Sequence, residues 1–99
     1  MALSWNPTGG WWVSKGSSVD VAGNKSVAQC NSRFGGCSLS AAVVAPEAPG
    51  CIAVARAGND RSKLFAGIGE TVDAARASVL QQLGNETGQF KFAACNSKT

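Results

Sequence analysis

Histidine and tyrosine are both missing from this sequence of 99 residues. Without histidine the chain has no Ser-His or Cys-His nucleophile and no imidazole metal ligand. Long apolar runs are missing as well, since none approaches the roughly 18 to 20 residues of a membrane-spanning helix. Charged residues make up 15% and apolar residues 44%, which is unlike a disordered tail. The sequence therefore predicts a single small globular domain over residues 1-99, with no metal and no cofactor.

A strong excess of one charge is also absent. Nine Lys and Arg residues against six Asp and Glu give a net charge of +3. This surplus mildly favours anionic partners. The basic residues are spread along the chain, whereas a nucleic-acid site needs them clustered. We therefore expect no nucleic-acid partner.

Four cysteines indicate the compartment: Cys30, Cys37, Cys51 and Cys95. Their spacings are longer than the Cys-x-x-Cys of zinc and redox sites. Two structural disulfides in an oxidising compartment are the better interpretation. We expect a secreted or periplasmic protein whose leader has been removed ahead of Met1. A cytosolic protein with four reduced thiols is the alternative, and four cysteines allow three pairings, among which their number alone does not choose.

An internal repeat organises the chain. A shift of 53 positions carries residues 16–22 onto residues 69–75 and keeps the order of hydroxyl, apolar and acidic side chains. The same shift continues without a gap, so that Gln29 meets Gln82. We interpret the pattern as a duplicated unit, with copies over residues 1-44 and 51-96 and a linker over 45-50.

Each unit is predicted to run strand, strand, helix, strand, giving an α+β fold of two ββαβ units with helices packed on antiparallel sheet. Turn residues and apolar stretches predict strands over 2–6, 11–15, 37–44, 51–57, 63–67 and 89–95, with a turn over 58–62. Ser18 and Thr71 are the predicted helix N-caps, each followed by an acidic residue in the first turn. Helical spacing predicts one apolar stripe on each helix. The stripe of the first helix consists of Val19, Ala22, Val27 and Cys30, and that of the second of Val72, Ala75, Val79, Leu80 and Leu83. The second helix is predicted to end at Gly84-Asn85.

A family resemblance lies in these units and their cysteine motifs. Cys-Ile-Ala-Val-Ala opens the second unit at Cys51, and Ala-Ala-Cys-Asn closes it around Cys95. With a cysteine at the end of the first helix and another opening the next strand, the chain resembles domain-of-unknown-function family 4189 from about Trp5 to Asn96. The resemblance implies a small secreted or periplasmic bacterial protein and carries no catalytic residue over.

On this two-unit topology we predict the pairs Cys30–Cys37 and Cys51–Cys95. The first would close a short loop between helix and strand, and the second would join two strands of the second unit across its sheet.

Trp5, Trp11 and Trp12 are the candidate binding residues. Trp11 and Trp12 are adjacent, so on a strand they face opposite sides. Beside the flexible Gly9-Gly10 turn, the three rings would form an aromatic platform for a sugar or a protein. The alternative is that all three are packing residues of the core or hairpin.

The other candidates have simpler explanations. Gly67-Ile68-Gly69 loosely resembles a phosphate-binding loop, but Glu70 and Asp73 would repel a phosphate, and a tight strand-to-helix turn explains the glycines. Asp20 and Asp73 suit the first turns of their helices, so they need not form a catalytic pair.

The sequence therefore predicts a non-enzymatic secreted protein that binds a host or cell-envelope protein, for example a bacterial effector or inhibitor. The alternative is a glycan-binding module of the cell wall or a small secreted hydrolase. We expect a monomer or weak homodimer, because open sheet edges favour pairing.

Overall fold

The computed structural model describes residues 1–46, 49–57, 63–84 and 88–96. The fold is α+β, as predicted. In chain order the elements are β1 (Ala2–Trp5), β2 (Trp11–Ser14), α1 (Val19–Arg33), β3 (Ser38–Val43), β4 (Cys51–Ala57), β5 (Leu64–Gly69), α2 (Val72–Leu83) and β6 (Gly88–Cys95). Both halves thus run strand, strand, helix, strand. β5 extends two residues beyond its predicted end, and the predicted turn over 58–62 lies outside the described residues.

The strands form two separate three-stranded antiparallel sheets, one for each half. Their strand orders are β2-β1-β3 and β5-β4-β6, so the first strand of each half is central in its sheet. The matching orders are what a duplicated unit would produce. The duplication itself, its boundaries and the linker remain predictions.

The two sheets pack face to face through a shared apolar cluster. Met1 and Leu3 in the first half and Ile52 and Val54 in the second are fully buried in this cluster. Because side chains alternate along a strand, the intervening residues face outward from the pair of sheets. There α1 covers the first sheet and α2 the second, which gives four layers in the order helix, sheet, sheet, helix.

The layer between α2 and its sheet is apolar. Ala75, Val79 and Leu83 of α2 are buried there in one cluster with Cys51, Ala53, Ala55 and Ala57 of β4. Leu80, predicted to join this stripe, is 56% exposed. The prediction for Leu80 was wrong because each helical step turns the side chain by about 100°, and a stripe through Ala75, Val79 and Leu83 leaves Leu80 on the outer flank.

The glycines at the end of β5 bring α2 close to its sheet. A Cβ atom on Gly69 would lie 2.6 Å from the Cβ of Ala74, and one on Gly67 would lie 2.7 Å from the carbonyl oxygen of Ala75. Only glycine permits so close an approach. The contacts agree with a tight strand-to-helix connection at Gly67-Ile68-Gly69.

The layer between α1 and its sheet is small and polar. Its buried helix residues are Ala22, Gly23, Ser26 and Cys30. The predicted stripe is thus confirmed at Ala22 and Cys30, whereas its valines, Val19 and Val27, are half-buried. The Ser4 hydroxyl donates to the Ser26 carbonyl at 2.8 Å. The Ser26 hydroxyl lies 2.8 Å from the Ser4 oxygen and 2.9 Å from the Trp12 carbonyl. These hydroxyls satisfy each other, so a short polar side chain is accommodated where a valine stripe was expected.

Both predicted N-caps are confirmed. The Ser18 hydroxyl accepts from the Val21 amide, and the Thr71 hydroxyl accepts from the Ala74 amide. Each cap therefore satisfies one of the free amides of its first helical turn.

Both predicted disulfides are present. Cys30–Cys37 joins the end of α1 to the residue before β3, and Cys51–Cys95 joins directly opposed residues of β4 and β6. The two other pairings, and the alternative of four free thiols, are thereby excluded. No helix among the described residues is both long and apolar enough to cross a membrane.

Candidate functional site

A groove runs along β2, the end strand of the first sheet. Its volume is about 650 Å³. Of the residues that the structure describes, six line it: Trp11, Trp12, Val13, Arg33, Phe34 and Phe92. They come from β2, the end of α1 and β6, so the groove forms only where the two halves meet.

One wall of the groove consists of Trp12 and the end of α1. The Arg33 guanidinium lies over the Trp12 ring, 5.0 Å from its centroid, within the range of a cation–π interaction. Phe34 follows as the C-cap of α1, and its ring lies against Gly10. A Cβ atom on Gly10 would come within 2.5 Å of the Phe34 ring. Gly10 therefore leaves room for the Phe34 side chain, which lines the groove and remains 53% exposed.

The opposite wall belongs to the layer between the two sheets. The Trp11 and Phe92 rings lie 5.2 Å apart at an angle of 55°, a favourable tilted geometry. Val13 follows Trp11 on the same face, and all three side chains pack on the central apolar cluster. The rigid core thus supports this wall from behind.

The structure separates the three candidate tryptophans. Trp11 and Trp12 face opposite sides of β2, as predicted for neighbours on a strand, and both line the groove. Trp5 lies opposite Trp11 in the sheet but opens into a second, smaller cavity of about 270 Å³, together with Asn6, Pro7, Ser38 and Leu64. A binding role for any of the three stays a prediction.

Four residues of the groove were not identified from the sequence: Val13, Arg33, Phe34 and Phe92. The Arg-Phe pair at the end of α1 gave a local signal, because an exposed aromatic residue beside a cation is common at binding surfaces. No local signal marked Phe92, since its role depends on how β6 lies against β2.

The groove is apolar and carries positive charge. Arg33 is the one charged side chain among its lining residues. Within the ranges that the structure describes, no carboxylate forms an ion pair with Arg33. Asp20 and Asp73 lie apart from the groove, each in the first turn of its own helix. No family model, curated protein or solved structure matches the chain.

The described ranges contain no group of three or more Cys, Asp or Glu side chains that could hold a metal ion. The groove offers aromatic surface, one guanidinium group and the backbone of an end strand. These groups suit the binding of a partner.

Proposed function

We propose that this protein is a non-enzymatic binding domain, secreted or periplasmic, which engages a macromolecular partner through the groove along β2. The observation that carries the proposal is the convergence of Trp11, Trp12, Phe34 and Phe92 with Arg33 in one open cavity. Tryptophan and arginine contribute most strongly to protein interfaces, and aromatic rings lose little conformational entropy on binding.

The two disulfides support the proposed compartment, because such bonds persist in oxidising surroundings. The resemblance to domain-of-unknown-function family 4189 supports it too, and we propose membership of that family on the cysteine motifs alone. A bacterial effector or inhibitor that acts on a host or cell-envelope protein would fit this description. We propose that the protein is a monomer or a weak homodimer.

A substitution on the groove's rim tests the proposal. Phe34→Ala removes an exposed ring of the groove, whereas Leu80→Ala removes a side chain of nearly equal exposure, 56% against 53%, from α2. Both proteins, with Trp12→Ala as a third, would be immobilised and exposed to bacterial cell-envelope extract. We expect Phe34→Ala and Trp12→Ala to lose a captured component that Leu80→Ala retains.

The thermal unfolding of each variant would first establish that it is folded. Equal capture by wild type and by both groove variants would refute the proposed site. Retention of all three proteins on purified peptidoglycan, with no captured protein, would favour the alternative of a glycan-binding module that uses another surface.

A further inference from the structure

We propose that the partner contributes an extended peptide segment, which adds to β2 as a fourth strand of the first sheet and places a carboxylate on Arg33. This inference rests on the proposed function, because it assigns a ligand class to the same groove. Four features of the molecule support it. They are the outward direction of backbone groups on β2, the side-chain bond to the corresponding edge of β5, the two walls of apolar side chains, and the positive charge of the groove.

The ladder between β1 and β2 shows which backbone groups face the open edge. The backbone amide of Asn6 donates to the Gly10 carbonyl at 2.9 Å. From this bonded pair the register of β1 and β2 continues through the pair Trp5–Trp11 to the pair Ala2–Ser14. Antiparallel pairs alternate between bonded and non-bonded. Trp12 and Ser14 are therefore bonded to β1, whereas the amides and carbonyls of Trp11 and Val13 point away from β1 into the groove. Two donors and two acceptors at this spacing match one edge of an added strand.

The equivalent strand of the second half is β5, and one of its outward carbonyls is occupied by a side chain. With the shift of 53 positions, Val13 corresponds to Ala66 and Gln29 to Gln82. The Gln82 side-chain amide donates to the outward carbonyl of Ala66 at 2.8 Å. In the first half Gln29 instead accepts from the Ser14 hydroxyl at 2.8 Å. A helix side chain thus occupies an outward carbonyl within β5. In the first half the Lys25 ammonium donates to the Lys15 carbonyl, just beyond β2, and no side chain of the described residues bonds the carbonyls of Trp11 and Val13.

Side chains on both faces of β2 complete the strand site. Successive residues of an added strand would point alternately to the two faces. On one face they would meet Trp11, Val13 and Phe92, and on the other Trp12 and Phe34. In strand addition the backbone supplies affinity, and pockets for alternate side chains supply specificity. The walls predict apolar residues at alternate positions of the ligand.

Charge determines the remaining feature of the ligand. Arg33 lies over the Trp12 ring and is the one charged residue among the described residues that line the groove. An acidic residue of the ligand would therefore find an available guanidinium group. Among the described lining residues no side chain carries an amide or carboxylate group, so a sugar hydroxyl could donate only to the backbone carbonyls of Trp11 and Val13. The observations therefore favour an acidic, apolar peptide over a glycan.

The first experiment uses a phage-displayed library of random 12-residue peptides, selected on the disulfide-bonded wild-type protein. We expect the enriched sequences to alternate apolar residues and to contain Asp or Glu. Binding of the enriched peptide should fall about tenfold or more with Arg33→Glu, since a charge-assisted hydrogen bond is lost and a like charge is introduced. Replacing the peptide's acid with Lys should restore binding to that variant. A library that yields no binding peptide would overturn the inference.

The decisive test changes the peptide and leaves the protein intact. Two synthetic versions of the enriched peptide carry backbone N-methyl groups on alternate residues, the first on even positions and the second on odd positions. Strand addition requires that one version lose about tenfold or more in affinity, because its donors face β2, and that the other retain it. Equal affinities of the two versions would overturn strand addition.

Amide hydrogen exchange then locates the added strand. The amides of Trp11 and Val13 should become protected when the peptide is added, whereas the Trp12 amide, already bonded to β1, should change little. Val13→Pro removes one outward donor and should weaken binding, while its matched control Ala66→Pro on β5 should not. Protection of β5 or β6 in place of β2 would contradict the proposal.

Two further outcomes separate this inference from the proposed function. If soluble peptidoglycan fragments bind and Trp12→Ala abolishes that binding, the groove is a binding site but the peptide inference is wrong. If analytical ultracentrifugation shows a dimer that protects β2 and excludes the peptide, a second copy of the chain occupies the edge and the inference is again wrong.

Discussion

The two halves of the molecule share one order of elements and one order of strands, but they bury different chemistry beneath their helices. Under α2 the contacts are between alanine, valine and leucine. Under α1 they involve serine hydroxyls, a glycine and an alanine. The comparison teaches that this topology needs a helix packed closely on three strands, and that either apolar burial or satisfied hydroxyls can occupy the layer between them.

The end strands of the two sheets, β2 and β5, also carry different side chains. β5 carries Leu64, Phe65 and Ala66 where β2 carries Trp11, Trp12 and Val13. Phe65 packs into the layer beneath α2, whereas Trp12 stays half-exposed beside Arg33. The second half thus has the more apolar layer beneath its helix, and the first half has the aromatic groove to which we assign the proposed binding.

The largest expected effect concerns the disulfides. Cys51–Cys95 closes a loop of 44 residues and Cys30–Cys37 a loop of 7. From loop-closure entropy, replacing the first pair by alanine should lower the free energy of unfolding by about 4 kcal/mol and replacing the second by about 2 kcal/mol. Urea unfolding of the two double variants measures the difference. A greater loss of stability from replacing Cys30 and Cys37 would show that their disulfide stabilises the first half by more than the loop-closure entropy.

Core truncations test the two layers directly. Leu83→Ala in the apolar layer should lower the free energy of unfolding by about 2 to 4 kcal/mol, because it removes buried methyl groups and leaves a cavity. Ser26→Ala in the polar layer should cost only about 1 kcal/mol, since it removes one net hydrogen bond.

Denaturant midpoints of these two variants give the comparison, with the exposed Leu80→Ala as the control that should change stability little. Equal losses from Leu83→Ala and Ser26→Ala would break the distinction between an apolar and a polar layer.

The helix caps should behave alike in the two halves. Ser18 and Thr71 make the same bond to the amide three residues ahead, at 3.1 Å in both cases. Ser18→Ala and Thr71→Ala should therefore each cost about 1 kcal/mol, as measured by thermal unfolding. Markedly unequal losses of stability in the two variants would indicate that one helix is stabilised mainly by its tertiary contacts.

A pH dependence of stability should arise at the amino terminus, in the first half. The Met1 ammonium donates to the Val44 carbonyl at 2.8 Å, and burial, with a smaller contribution from Lys15, lowers the pKa of this group below its usual value of 8.0. The unfolded chain then binds more protons than the folded chain between the lowered pKa and 8.0. Stability should consequently rise as the pH increases through this window and level off above it.

Urea unfolding at pH 6 and at pH 9 measures this effect cleanly, because the chain has no histidine and its cysteines are paired. Lys15→Gln should reduce the difference between the two pH values. At the corresponding end of the second sheet, the backbone amide of Asn96 donates to the Gly50 carbonyl, and neither of these two groups titrates. A fall in stability between pH 6 and pH 9 would contradict the predicted sign.

Patterns within a few residues were sufficient for much of the fold. The caps at Ser18 and Thr71 follow from hydroxyl side chains before an apolar period, and Gly84 ends α2 as predicted. The cysteine pairs followed once the topology was assumed, because Cys51 and Cys95 fell on neighbouring strands. Leu80 was misplaced, and Val19 and Val27 are only half-buried, because apolar spacing alone does not distinguish the centre of a buried stripe from its flank.

The α+β order of elements, the helix caps and the paired cysteines could be predicted from the sequence, since each depends on neighbouring residues or on similar patterns in the two halves. Only the tertiary structure decided that each half forms its own sheet, that the sheets stack, and that Phe92 faces Trp11 across the layer between them. The groove depends on that stacking, because its walls come from segments far apart in the chain and no short-range pattern encodes their distance.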